Sequence, residues 1–387
     1  MDRRTFVKRT CVGSAGLFLG GLPTLGSDQV ALPEPPPITV HEAPLKKKSP
    51  LRMPGLHPGR VVEVADSRVI ASNRVSQPII HDMLERGLKE LTGENSAKAA
   101  FGQFIEPSDV VGIKINPSGA PACCSSPELV REIIAGVHSV GVPLGNIVVY
   151  DRFGYEIDVG SYQTLLQPGV PIVGVQEDLL DASGYDPEVY CEVNFFGEWE
   201  TRSYMASVVA TRLDKIISVP TMKDHSASGV TGCLKNVAYG TFNNVARSHK
   251  EPYSFTNPLI AVMCTVEPLP SKVVLNIMDG TRMVWHGGPL TQNQKFIYPA
   301  GLLLVSTDPV ALDRIELEAI DTKRKQEGAP SVWEHDPKSI TKDGREFYED
   351  ASKNLFYRQP GHIEAAGEMG LGVYDLKQID HRKLQIG

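Results

Sequence analysis

Between residues 223 and 249 the chain reads KDHSASGVTGCLKNVAYGTFNNVARSH. One short stretch thus gathers Lys223, His225, Cys233, Lys235, Asn236, Arg247 and His249, directly after the apolar run IISVP. A packed core does not tolerate such a mixture unpaired. Lys223, Lys235 and Arg247 are fixed cations of the kind that hold carboxylate or phosphate, although Lys235-Asn236 would serve equally as a pin for a helix. His225 and His249 can act as general acid–base groups or as metal ligands. With them, Cys233 would complete a soft-plus-imidazole copper or zinc set. Its neighbours, VTG before and LKNVAYG after, suit a small core residue on a helix, and that reading is preferred.

Other chemistry-bearing residues stand singly, each just past a β-branched run. DVVGIKI (109–115) leads through Lys114 to Asn116, NIVVYD (146–151) ends at Asp151-Arg152, and KIISVP (215–220) leads to Lys223. KVVLNIMD (272–279) ends at Asp279-Gly280, and GLLLVS (301–306) leads to Thr307-Asp308. These runs suit buried strands, as does RVVEVA (60–65). IIHDMLERGLKEL (79–91), SPELVREIIAGVHSV (126–140) and DPVALDRIELEAIDTKR (308–324) have helical apolar spacing, with Ser126 and Asp308 as expected caps.

Strand–helix alternation of this kind predicts an α/β fold with a mainly parallel sheet flanked by helices. In such sheets the ligand crevice lies beyond the carboxyl ends of the strands, where these polar residues fall. Lys114, Asp151, Lys223, His225, Lys235 and Asp279 are therefore expected to converge on one cleft. Within it His225, His249, Asp151 and Asp279 are the candidates for proton transfer, and Lys114, Asn116, Lys223, Lys235 and Asn236 for holding substrate. Asp308 and Asp313 are expected to do no more than cap and stabilise the last helix. A metal ion is a candidate cofactor without an assigned ligand set.

Cys123-Cys124 lie in the loop before SPELV, whose helix N-terminus is a ready anion site. A bond between adjacent cysteines is strained, so this pair is expected to split between a bridge elsewhere and a free thiol. His286, before Gly287-Gly288, can join the pocket or be a plain loop histidine. There is no Cys-x-x-Cys, so no iron–sulfur or zinc-ribbon motif. Walker, GxGxxG, GxSxG and HExxH patterns are also missing, and with them the familiar nucleotide, hydrolase and zinc-protease signatures.

The start of the chain, MDRRTFVKRTCVGSAGLFLGGL, has adjacent Arg3 and Arg4 ahead of a short, weakly apolar run. That is the layout of a twin-arginine export signal over residues 1–26, cut near Thr24-Leu25-Gly26. Export would place the mature protein in the periplasm or outside the cell, with the twin-arginine machinery as its transient partner. No other stretch is long and apolar enough to span a membrane. Removing the signal takes away four basic residues and one acidic one, which moves the net charge from −7 to −10. So acidic a chain has no general attraction to nucleic acid. Residues 27–59, with ALPEPPPITVHEAP and MPGLHPG, read as a proline-rich extended tether. Residues 60–387 have ordinary globular composition, enough for one large domain or two lobes.

From about residue 109 onward the chain resembles domain-of-unknown-function family 362. The resemblance rests on Lys114-x-Asn116, SSPELV, Asp151, Lys223-x-His225, Val230-Thr231, Lys235-Asn236 and His249, then Asp279-Gly280, Gly288-Pro289, STDPVALD and the closing AAGEMGLGVYDL. Some members of that family carry an added ferredoxin-like segment, which this chain lacks. Two classes of function remain. One is an enzyme acting on a small anionic metabolite by acid–base chemistry, with metal or redox cofactor assistance as an option that the twin-arginine route favours. The other is a periplasmic protein that captures an anionic ligand without turning it over.

Overall fold

The computed structural model describes residues 37–44, 49–177, 182–194, 200–249, 256–291, 293–334, 350–352 and 360–387. Residues 1–26, read as an export signal, and the first part of the expected tether lie outside them. The longer strands are β1 (Ile38–His41), β2 (Arg60–Ala65), β3 (Val111–Lys114), β4 (Ile147–Phe153), β5 (Ile172–Gln176) and β6 (Tyr185–Val193). They continue with β7 (Arg202–Ala206), β8 (Lys215–Ser218), β9 (Thr221–His225), β10 (Val273–Val284), β11 (Leu302–Ser306) and β12 (Asp380–Gln385). The helices that matter below are α1 (Gln77–Thr92), α2 (Ala97–Gly102), α3 (Pro127–Val140), α4 (Gly154–Val159), α5 (Gly232–Tyr239), α6 (Thr256–Thr265), α7 (Pro309–Gln326) and α8 (Gly361–Glu368).

The main sheet runs β12–β2–β11–β10–β8–β3–β4–β5, with β9 continuing alongside β10 beyond the end of β8. Pairing is parallel from β10 through β8, β3 and β4 to β5, and again between β12 and β2. Only β11 runs against its neighbours β10 and β2 in this path. The fold is α/β with a largely parallel sheet, as the alternation predicts.

Alternation along each strand feeds two apolar clusters. Val61, Val148, Ile216 and Leu304 point into one, and Val62, Val149, Ile217 and Leu303 into the other. On the second face Leu84 and Leu88 of α1, Phe101 of α2 and Ile133 and Val137 of α3 complete the core. The first face is covered by α5, α6 and α7 through Leu234, Val237, Ile260, Met263, Leu312 and Ile320. A small antiparallel sheet, β1–β6–β7, covers the rest of it.

That small sheet corrects the reading of residues 27–59 as a tether throughout. Ile38–His41 pairs with Tyr190–Val193, and Met53 is buried in the main core. The Pro-rich composition does not reveal this, because ITVH is too short a run to stand out from an extended linker. A second difference concerns Ser126. It stands at the start of α3 in extended conformation, but its hydroxyl makes no capping bond. Asp308 does cap α7, accepting from the Ala311 amide at 2.9 Å.

Candidate functional site

The sheet's carboxyl edge begins with Lys114, the last residue of β3. Its ammonium donates to Asp151 Oδ1 on β4, to the Ile115 carbonyl at 2.6 Å and to Asn236 Oδ1 on α5 at 3.1 Å. Those three acceptors use its three protons. Asn236 is equally engaged, accepting also from Asn116 Nδ2 at 3.1 Å and donating to Ser218 Oγ at 3.1 Å. This network ties β3, β4 and β8 to α5. Lys114 is only 1% exposed and Asp151 5%. Lys114, Asn116, Asn236 and Asp151, read from sequence as substrate and proton-transfer groups, are thus brought together but spend their polar atoms chiefly on one another. They form the floor of the site. Gly240 makes room for it: a Cβ there would lie 2.1 Å from Lys114 Cε.

Asp279 is placed differently again. Its two oxygens accept from the Ser126 amide (2.7 Å) and hydroxyl (2.6 Å), and from the Thr281 amide (3.0 Å) and hydroxyl (2.6 Å). The anion site expected at the start of α3 is therefore filled by the protein's own carboxylate. So saturated an acceptor is a structural anchor, which corrects its assignment to proton transfer. Arg247 is likewise structural, donating to the carbonyls of Asn244, Val193 and Thr201. His286 sits away from the site, buried between Arg324 and the Phe296 ring.

Lys223 and His225 project from β9, which turns sharply through residues 226–228 so that His225 pairs with Gly229. Lys223 is fully buried and donates to the Ser118 carbonyl at 2.5 Å; the Ser118 hydroxyl donates to Glu156 Oε2 at 2.5 Å. Burial lowers the Lys223 pKa, opposed by Cys123, Cys124, Glu156 and Asp151. Burial also raises that of Glu156, with the Ser118 hydrogen bond pulling the other way.

His225 Nδ1 accepts from the backbone amides of Ala227 (3.1 Å) and Ser228 (3.2 Å). Two donors on Nδ1 leave the proton of the neutral ring on Nε2. Desolvation first, then Lys235, His249, His362 and Lys223, hold its pKa well below the ordinary value. His225 is therefore a neutral hydrogen-bond donor. Metal ligation through Nε2 calls for the opposite tautomer, with Nδ1 donating to an acceptor. His249 follows the turn Ala246–Ser248, its ring 5.3 Å from that of His225 and 5.4 Å from that of Tyr239. Burial and then Lys235 lower its pKa to about 4, against backbone contacts at Val245 and Ala246 that favour the charged ring.

Lys235 is carried by α5, and α7 places that helix. Asp313 accepts from the Cys233 and Leu234 amides at the helix start. Gly232 permits the approach: its φ is +60° and a Cβ would lie 2.5 Å from the Asp313 carboxyl. Asp313 thus caps α5, not the helix that bears it. Burial raises its pKa to about 7 despite those two amides. The half-buried Lys235 ammonium lies 5.0 Å from the Tyr239 ring centroid and has no hydrogen-bond or ion-pair partner among the described residues. Desolvation lowers its pKa to about 7, helped by Lys223, Arg152 and Lys114 and opposed by Glu156. Cys233 is buried in the core, as preferred from sequence.

Three groups at the site were not singled out. Arg152, noted only as a strand-end residue, donates through Nε to Gln176 at 3.0 Å, and its terminal nitrogens have no partner among the described residues. Ser118 and Glu156 come from a loop and a short helix whose spacing carries no signal. Cys123 and Cys124 sit beside Lys223, burial raising their pKa to about 12 and about 11. Both are free thiols, as are Cys191, Cys233 and Cys264, so the bridge expected for one of the pair does not form. No group of three or more His, Cys, Asp or Glu among the described residues has metal-binding geometry.

Fold and site together define an α/β protein with a cluster of cations at the carboxyl edge of its sheet. The chain belongs to the DUF362 family, a domain of unknown function whose family model matches residues 111–318. That span carries every residue of the site built above. No curated protein matches the chain. Among solved structures, the lactate racemase apoprotein from Thermoanaerobacterium thermosaccharolyticum is similar with a TM-score of 0.39 and 11% identity. The match covers 73% of this chain and 62% of that one. So distant a likeness carries no functional weight.

Proposed function

We propose that this site binds a small anionic molecule and moves a proton on it. Arg152 and Lys223 hold the anion, Arg152 through its two unpartnered terminal nitrogens. Lys235 takes the proton as a neutral amine, since an amine that titrates near neutrality is suited to general-base work. The Nε2–H of His225 donates to an oxygen that gains charge in the reaction. His249, neutral at the same pH, is the second proton carrier. The observation that carries the reading is the position of Lys235: an ammonium without a counter-ion among the described residues, acted on by the cations Lys114, Arg152 and Lys223 and opposed by Glu156. Such a cluster destabilises the empty protein, and an anion relieves it.

A panel of small carboxylates and phosphates tests this, first by thermal shift and then by turnover against pH. Proton transfer by Lys235 predicts a rate that rises through about pH 7 and is lost in Lys235→Met. Anions that stabilise the protein without any turnover would make it a binding protein. No stabilising anion at all would overturn the reading. We propose further that residues 1–26 are an export signal, so that the site works in the periplasm or outside the cell; the basis is the twin-arginine pattern.

A further inference from the structure

We propose that Lys235 is a nucleophile toward carbonyl compounds, and that the anion this site accepts is a short oxo acid, held by its carboxylate and joined to Lys235 Nζ as an imine. The inference rests on the anion-binding reading above and adds the class of substrate and the bond formed. Three observations and one chemical rule support it. Among the described residues Lys235 Nζ has no acceptor or carboxylate to engage its protons or fix its charge, unlike Lys114 with three acceptors and Lys223 on the Ser118 carbonyl. Besides burial, the groups acting on it from β3, β4, β9 and α4 are Lys114, Arg152, Lys223 and Glu156, three cations against one carboxylate, so its neutral form is substantially populated near pH 7. A desolvated lysine beside other cations is the standard arrangement for imine formation. Finally, His225 offers a fixed Nε2–H while His249 stays neutral, a donor and a proton acceptor on neighbouring rings.

The step balances without any further reagent. The Nζ lone pair attacks the carbonyl carbon, a C–N bond forms, and the π pair moves to oxygen. That oxygen, held by the Nε2–H of His225, takes one proton from solvent water, while Nζ gives one up to His249. His249 returns that proton to the hydroxyl, which leaves as water as the nitrogen lone pair closes a protonated C=N bond, with one proton taken up from solvent overall. An oxo acid bound in this way has a cationic nitrogen one bond from its former carbonyl carbon, which acidifies the adjacent C–H or labilises the adjacent carboxylate.

The test uses pyruvate as probe with sodium borohydride, followed by peptide mass mapping. The expected result is a reduced pyruvate adduct on Lys235, formed faster as pH rises through about 7 and suppressed by excess propionate, which has the carboxylate but no carbonyl. Lys235→Arg should keep the charge and the fold and give no adduct. Calorimetry with propionate separates the two levels of the argument. Propionate binding without trapping at Lys235, or trapping no faster than at surface lysines, overturns the imine and leaves the anion site standing. Failure of both pyruvate and propionate to bind overturns the anion site as well.

Discussion

At the scale of single residues, the two lysines of the 223–249 stretch have separate duties, and their variants should show it. Lys223 donates to a buried carbonyl and lies beside Glu156. Replacing it with methionine strands that acceptor, so Lys223→Met should lower ligand-free stability by about 1–3 kcal/mol, read by chemical denaturation. Lys235 has no such acceptor among the described residues, so Lys235→Met should leave the ligand-free protein as stable or more so. The sequence had supplied both lysines but not this asymmetry, because it depends on the Ser118 carbonyl, more than 100 residues away. The same holds for Asp279. A carboxylate after a strand looks chemical in sequence, and only the four donors that converge on it reveal an anchor.

At the scale of elements, the site depends on where α5 starts. Its cap comes from Asp313 on α7, and Gly232 leaves room for that carboxylate. Asp313→Ala should destabilise the protein by about 1–2 kcal/mol through the lost cap, and Gly232→Ala by at least as much because both φ and the contact are wrong. In both, pyruvate trapping at Lys235 should slow even where the protein remains folded at room temperature. Gly240→Ala probes the floor, since a Cβ would push on the Lys114 side chain and on the Asn236 carbonyl. Here the sequence was informative in part. The strands after which Lys114 and Asp151 fall, and the helices at 79–91, 126–140 and 308–324, were all legible from apolar period and flanking proline. The stretch Thr221–His225 was not read as a strand, because its TMKDH composition is polar and its partner, the far half of β10, is 50 or more residues away. The sheet β1–β6–β7 was missed for a related reason: non-local pairing of short, mixed strands leaves no periodic trace.

At the scale of the whole molecule, charge sets how stability depends on pH. Lys235 binds its proton less well folded than unfolded, so its contribution raises stability as pH climbs from about 7 toward the ordinary lysine value near 10.5. Lys272, lowered to about 8 by burial, has the same sign over a narrower window. His249 also has this sign, its contribution being lost as pH falls from 6.5 to about 4. Asp308 and Asp313 oppose it at acid pH: raised to about 6 and about 7, they favour the folded state below those values and lose that advantage as pH rises through them. The melting temperature of the ligand-free protein should therefore climb between about pH 7 and 8.5, and Lys235→Met should flatten most of that climb. The proposed export is also read at the scale of the whole chain. Intact mass of protein recovered after secretion should lack residues 1–26, and their retention would mean that the twin-arginine pattern is not a cleaved signal.

The most direct measurement is the affinity for propionate by calorimetry, as a function of pH, in the unaltered protein and in Lys235→Met. An ammonium that helps hold the anion is worth about 1.5–3 kcal/mol, a factor of roughly ten or more in affinity. Affinity in the unaltered protein should therefore fall as pH rises from about 6 to about 9 and Lys235 loses its proton, with proton uptake on binding near pH 7. In Lys235→Met the affinity should be weaker at about pH 6 and nearly level across the range, held by Arg152 and Lys223 alone. Equal affinities in the two proteins at about pH 6, or the same pH slope in both, would contradict the placing of Lys235 at the centre of the site.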